Sequence, residues 1–151
     1  MTAHPFDLKT LMLAKHAQHV VLIHFPIALF IAGVALDFAA HWTKRSALAT
    51  AAYINLLLAA IATVPAVATG LVAWQWALEG QRLKGILLLH LIFGLASTGL
   101  IWVVGSIHWR GQRRTAGGLS GYRLVIETIA VLLVGLTGHL GGFLSGVNGG
   151  Q

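Results

Sequence analysis

The side chains able to do chemistry in this chain are imidazoles and a few carboxylates set in hydrocarbon. There are eight histidines, His4, His16, His19, His24, His41, His90, His108 and His139, and no cysteine. The stretch QHVVLIHFPIAL (18–29) places His19 and His24 inside an apolar run. Imidazole nitrogen ligates haem iron, zinc and copper, and a polar group in lipid normally faces a bundle interior or a water-filled cavity. The missing cysteines exclude disulfides, thiolate nucleophiles, thiolate zinc sites and iron–sulfur ligation by this chain. No Ser-His-Asp order, phosphate loop or metalloprotease pattern is present, so hydrolase chemistry has little to stand on.

Two acids lie within apolar sequence. Asp37 stands four residues before His41, and Glu127 four residues after Arg123. Asp37 is expected to orient His41, and Glu127 to pair with Arg123 or hydrogen-bond Asn55. Both are read either as interfacial ion pairs or as parts of a proton path, which carboxylates in membrane helices sometimes mark.

The elements that must position these groups follow from composition. Of 151 residues, 57% are hydrophobic and 9% charged, and mean hydropathy is +0.81. Soluble domains carry about 25% charge, so water is the wrong solvent for this chain. Apolar runs cover about residues 19–41, 47–78, 86–109 and 122–145. Each reaches the ~20 residues that cross a bilayer. The short connections make successive helices antiparallel neighbours. The expected fold is therefore all-α: an up-down-up-down four-helix membrane bundle over 19–146, with an N-terminal tail or interfacial helix at 1–18 and a flexible tail at 147–151. A tilt or kink is expected at Pro65. No large repeat is evident, although His-Trp followed by basic residues recurs at 41–45 and 108–114.

The net charge of +6 sits in clusters between apolar runs, the pattern of loops beside anionic lipid, and nucleic acid is not an expected partner. One end carries Lys44, Arg45, Arg110, Arg113, Arg114 and Arg123, and the other Lys9, Lys15, Arg82 and Lys84. The positive-inside tendency puts the first group in the cytoplasm and both termini in the periplasm. No cleavable signal peptide is evident, so the first span is expected to serve as its own insertion signal.

Folded onto such a bundle, His24, His90 and His139 reach similar depth on the periplasmic side, with His19 just above. Small residues line the same helices: Ala28 and Ala32 after His24, Gly94 and Ser97 after His90, Gly135 and Gly142 around His139. These stripes serve close helix packing or leave room for a flat macrocycle between imidazoles. His24 and His90, on diagonal helices, are the first candidates for axial ligands of haem b, with His139 and His19 next. His41 and His108 are a candidate second pair at the cytoplasmic end, where His108 is expected at the membrane surface. Structural hydrogen bonds, a quinone site, or a compact copper or zinc site are the alternatives.

HVVLIHFPIAL, PAVATGLVAW (65–74) and TGHLGGFLSG (137–146) resemble an uncharacterised bacterial membrane family, domain of unknown function 2231. Val20 stands where that family has proline after its first histidine. The resemblance covers about 19–146 and implies a four-helix membrane fold without an established activity. Relatives joined to Rieske or cytochrome c domains are consistent with a redox role. The expected function is thus a b-type cytochrome-like subunit of the bacterial inner membrane, linking the quinone pool to another membrane or periplasmic redox subunit. The rivals are a cofactor-free assembly subunit and a metal-binding or transport protein.

Overall fold

The computed structural model describes residues 15–77, 80, 82–113 and 121–145, with the side chains of 15–17, 76 and 77 outside that description. Residues 1–14 of the expected N-terminal tail or interfacial helix (1–18), the expected tail at 147–151, His4 and the His16 side chain therefore lie outside the described residues, and 15–18 begin the first helix. The chain forms α1 (Lys15–Thr43), α2 (Ser46–Val72) with a π-helical turn at Ala73–Ala77, α3 (Gly85–Gln112) and α4 (Tyr122–Leu144). All four helices are long and apolar enough to cross a membrane.

Large apolar side chains cover the outer surface: Val21, Phe25, Ile61, Val125 and Leu132 are all exposed. A bundle hydrophobic all round is built for lipid rather than water. Trp42 and Trp109 are exposed at the basic ends of α1 and α3. There the Arg113 guanidinium lies 4.5 Å from the Trp109 ring centre, an amphipathic belt of the kind found at headgroup level.

Lys44 turns the chain between α1 and α2. It takes a left-handed φ of 59°, and its N–H donates to the Ala40 carbonyl at 2.8 Å, closing the end of α1. α2 runs through Pro65 without leaving the helix. Pro65 leaves one carbonyl of the preceding turn without its helical donor, and the change from α- to π-helical hydrogen bonding follows at the turn beginning with Ala73.

α1 packs on α2, α2 on α3, α3 on α4 and α4 on α1, which leaves α1 and α3 on one diagonal. The core is Phe30 and Val34 of α1, Leu56, Ala59 and Ala60 of α2, Ile101 and Val104 of α3, and Ala130 and Val134 of α4. Gly33 permits the closest approach. A Cβ there would fall 2.8 Å from Leu56 Cγ and 3.2 Å from the Leu56 backbone nitrogen.

The second hairpin repeats the first at a shift of 71 residues, from 19 to 90. Phe30, Val34 and Asp37 are buried on α1, and Ile101, Gly105 and His108 are buried on α3. Ala52, Leu56 and Ala59 on α2 correspond to buried Arg123, Glu127 and Ala130 on α4. The bundle thus has an approximate two-fold axis along its length, between diagonal α1 and α3. Few identities survive in that register, and the His-Trp pairs lie in a different one, so the repeat is invisible in the sequence and plain in the burial.

Candidate functional site

His19 and His90 are equivalent positions of the two repeats, and they meet across the axis. Their ring centroids are 6.4 Å apart and their planes are inclined at 81°. Each is held the same way by the helix antiparallel to its own. The His19 Nδ1–H donates to the Ala66 carbonyl of α2 at 3.1 Å, with Thr69 Oγ1 at 3.4 Å. The His90 Nδ1–H donates to the Thr137 carbonyl of α4 at 3.1 Å. A carbonyl only accepts, so the proton is on Nδ1, and in the neutral ring Nε2 carries the lone pair. Metal-ligating imidazoles are held in this tautomer by the same kind of bond.

Glycine makes room for both rings. A Cβ on Gly70 would lie 2.9 Å from His19 Cε1, and one on Gly141 would lie 3.1 Å from His90 Cε1. Gly70 and Gly141 are again equivalent in the repeat. Ser97 steadies the α3–α4 contact: Thr137 Oγ1 donates to the Leu133 carbonyl at 2.9 Å, so the 3.0 Å contact with Ser97 is donated by serine. The two imidazoles open on a cavity of about 430 Å³ lined mainly by apolar residues of all four helices, with Gly94, Gly138 and Gly142 in its wall. That lies within the ~300–1,000 Å³ range of small-molecule sites. The π-turn residues Ala73 and Trp74 also line it, as π-bulges often do at functional sites.

The partner of His90 across the bundle is therefore His19, where the sequence points first to His24. His24 lines the same cavity but is exposed, and its Nδ1–H turns back to the Val20 carbonyl of its own helix at 2.6 Å. Five residues rotate a helix by about 500°, so His19 and His24 cannot face the same direction. His139 is also exposed. It stacks edge-on with Phe143 at 5.0 Å, two residues of rotation away from the inward-facing Thr137 and Gly141. Depth in the membrane grouped these histidines, whereas helix face separates them.

The opposite end of the axis holds a second polar group. Asp37 and His108 are equivalent repeat positions, 1% and 2% exposed, and α4 adds Arg123 and Glu127, 6% and 0% exposed. Arg123 donates to Asp37 twice, from Nε to Oδ2 at 2.7 Å and from Nη2 to Oδ1 at 3.2 Å. His108 Nε2 lies 2.8 Å from Glu127 Oε1 and 3.9 Å from Asp37 Oδ2. Glu127 Oε2 is buried without a hydrogen-bond partner among the described residues.

Several expectations change here. Asp37 is bound by Arg123 rather than orienting His41. Glu127 meets His108 rather than Arg123 or Asn55, and Asn55 Nδ2 donates to the Ala51 carbonyl of its own helix at 2.9 Å. His108, expected at the membrane surface, has its side chain buried inside the bundle. Among the described residues no contact joins the half-buried His41 to His108. The ligand-type atoms of Asp37, His108 and Glu127 lie within 4.8 Å of one another. The guanidinium engages both Asp37 oxygens, however, so the cluster is an ion-paired network rather than a cage for a cation.

No curated protein and no solved structure matches this chain. Residues 15–150 match a family described as predicted membrane protein, domain of unknown function 2231. With four apolar spans in a helical bundle, the chain is a membrane protein and belongs to that family.

Proposed function

We propose that this chain is a b-type cytochrome-like subunit of the bacterial inner membrane, with haem b held between His19 and His90. The observation that carries the reading is the spacing of those two rings on the bundle axis. Two imidazoles bonded to one metal at ~2.0–2.1 Å, with about 1.1 Å more from each nitrogen to its ring centre, stand about 6.3 Å apart. The centroids are 6.4 Å apart. The backbone bonds from each Nδ1 hold the rings and fix the lone pairs on Nε2, and Gly70 and Gly141 leave room for them.

Haem would supply one-electron transfer. The chain's own contribution is orientation, an apolar surround and exclusion of water. The cavity lies at the end of the bundle opposite the arginine-rich one, which in the positive-inside arrangement is periplasmic. That location suits exchange between the quinone pool and a periplasmic or complex-bound redox partner.

The test is the reduced-minus-oxidised absorption spectrum of the chain, purified in mild detergent after expression with a haem precursor. Soret and α bands are expected. His19→Gln and His90→Gln each remove the bis-imidazole spectrum, while His24→Gln and His139→Gln keep it. A folded wild-type chain with no bands overturns the proposal. Elemental analysis of that preparation then separates a zinc or copper site from a cofactor-free assembly subunit.

A further inference from the structure

The buried cluster at the arginine-rich end has a role apart from the imidazole pair on the cavity. Its charges can be counted. Asp37 and Arg123 neutralise each other through two hydrogen bonds, at 2.7 and 3.2 Å. That leaves His108 and Glu127, joined at 2.8 Å and 2% and 0% exposed. A neutral imidazole beside an ionised carboxylate would leave one uncompensated negative charge inside an apolar bundle. An isolated buried charge is costly enough that such a group changes protonation instead.

A second observation points the same way. Glu127 Oε2 has no hydrogen-bond partner among the described residues. An orphaned oxygen is far more costly on a carboxylate than on a neutral carboxyl group. One proton on the pair removes the excess charge. It resides on Glu127 Oε1, donating to His108 Nε2, or on His108 Nε2, donating to Glu127 Oε1. Either arrangement leaves the four residues neutral, and a proton moves between the two without changing net charge.

We propose that His108 and Glu127 share one exchangeable proton, making this end of the bundle an acid–base station within the membrane domain. Asp37 is not the carrier, because both of its oxygens accept hydrogen bonds from Arg123. Among the described residues, the charged groups facing the pair are Asp37 from α1 and Arg123 from α4. The buried residues of α2 at this end, Ala52 and Leu56, are apolar. Tyr53 of α2 and His41 of α1 are half-buried on the turns of their helices toward this end, and no hydrogen bond joins them to the cluster among the described residues. Gain or loss of this one proton switches the charge of the cluster by one.

Infrared and NMR spectra of the full chain in lipid nanodiscs test this. Glutamate occurs only at Glu79 and Glu127, so ¹³C-labelled glutamate separates their carboxyl bands from aspartate in the unmodified protein, and Glu127→Gln tells the two apart. The expected result at neutral pH is either a protonated-carboxyl stretch that shifts in D₂O or a doubly protonated His108 in the ¹⁵N spectrum. Raising the pH removes it with release of one proton. Glu127→Gln, which keeps the side-chain shape, loses the band and that one titrating proton. An ionised Glu127 beside a singly protonated His108 at neutral pH overturns the proposal, and so does a band that persists in Glu127→Gln.

Discussion

At the scale of single residues, the bundle axis is where polar chemistry survives in an otherwise apolar chain. His19, His90, Asp37 and His108 all point inward because they share the buried face of α1 and α3. His90 was legible from its neighbours, since Gly94 and Ser97 mark the inward face of α3. Sequence places His24 ahead of His19 because depth along a span can be read from it, whereas the rotation of α1 against α2 cannot. The pairing of Asp37 with Arg123 joins residues 86 apart and left no local signal. Breaking a buried ion pair from one side strands a charge, at ~3–5 kcal/mol. Arg123→Met is therefore expected to destabilise the chain by about that much in SDS or thermal unfolding. Adding Asp37→Leu is expected to restore much of the loss, because an apolar pair strands nothing. At the other end, Gly70→Ala places a methyl 2.9 Å from His19 Cε1 and must displace the ring. The expected result is weakened haem retention with the fold intact, measured as haem per protein after size-exclusion chromatography.

At the scale of elements, close packing is concentrated between α1 and α2. Four apolar runs, with boundaries within a few residues of α1 to α4, were evident from composition and the ~20-residue length of a span. A tilt or kink is expected at Pro65, where the α-helix continues to Val72; the π-turn follows at Ala73–Ala77, and its Ala73 and Trp74 line the cavity. Gly33 has the tightest surroundings of the helical glycines at the α1–α2 contact, since one neighbour is the Leu56 backbone nitrogen and cannot swing aside. Gly33→Ala is expected to cost ~1–3 kcal/mol. Gly99 on α3 has open space where a Cβ would stand, so Gly99→Ala is expected to be neutral or to stabilise by up to ~1 kcal/mol. Unfolding of the two variants side by side checks both, and equal effects would contradict the packing described for α1 and α2.

At the scale of the whole molecule, two helical hairpins related by a shift of 71 residues surround one axis with a polar station near each end. The repeat escaped sequence reading because lipid-facing positions accept almost any apolar residue, so only the buried face keeps the correspondence. Orientation rests on loop charge, and Arg123 leaves that count because it is buried against Asp37. The chain has no cysteine, so single introduced cysteines report topology cleanly. With impermeant maleimide on intact spheroplasts, Ser145→Cys is expected to label and Ser46→Cys only after lysis. The reverse pattern would put the cavity on the cytoplasmic side. The central proposal is that His19 and His90 would hold one haem on the axis, and its most direct measurement is the EPR spectrum of the oxidised chain after haem loading. Imidazole planes at 81° predict the strongly anisotropic low-spin signal of two nearly perpendicular axial imidazoles, lost in His19→Gln and in His90→Gln. A high-spin signal, a spectrum unchanged by both substitutions, or a folded chain that takes up no haem would contradict it.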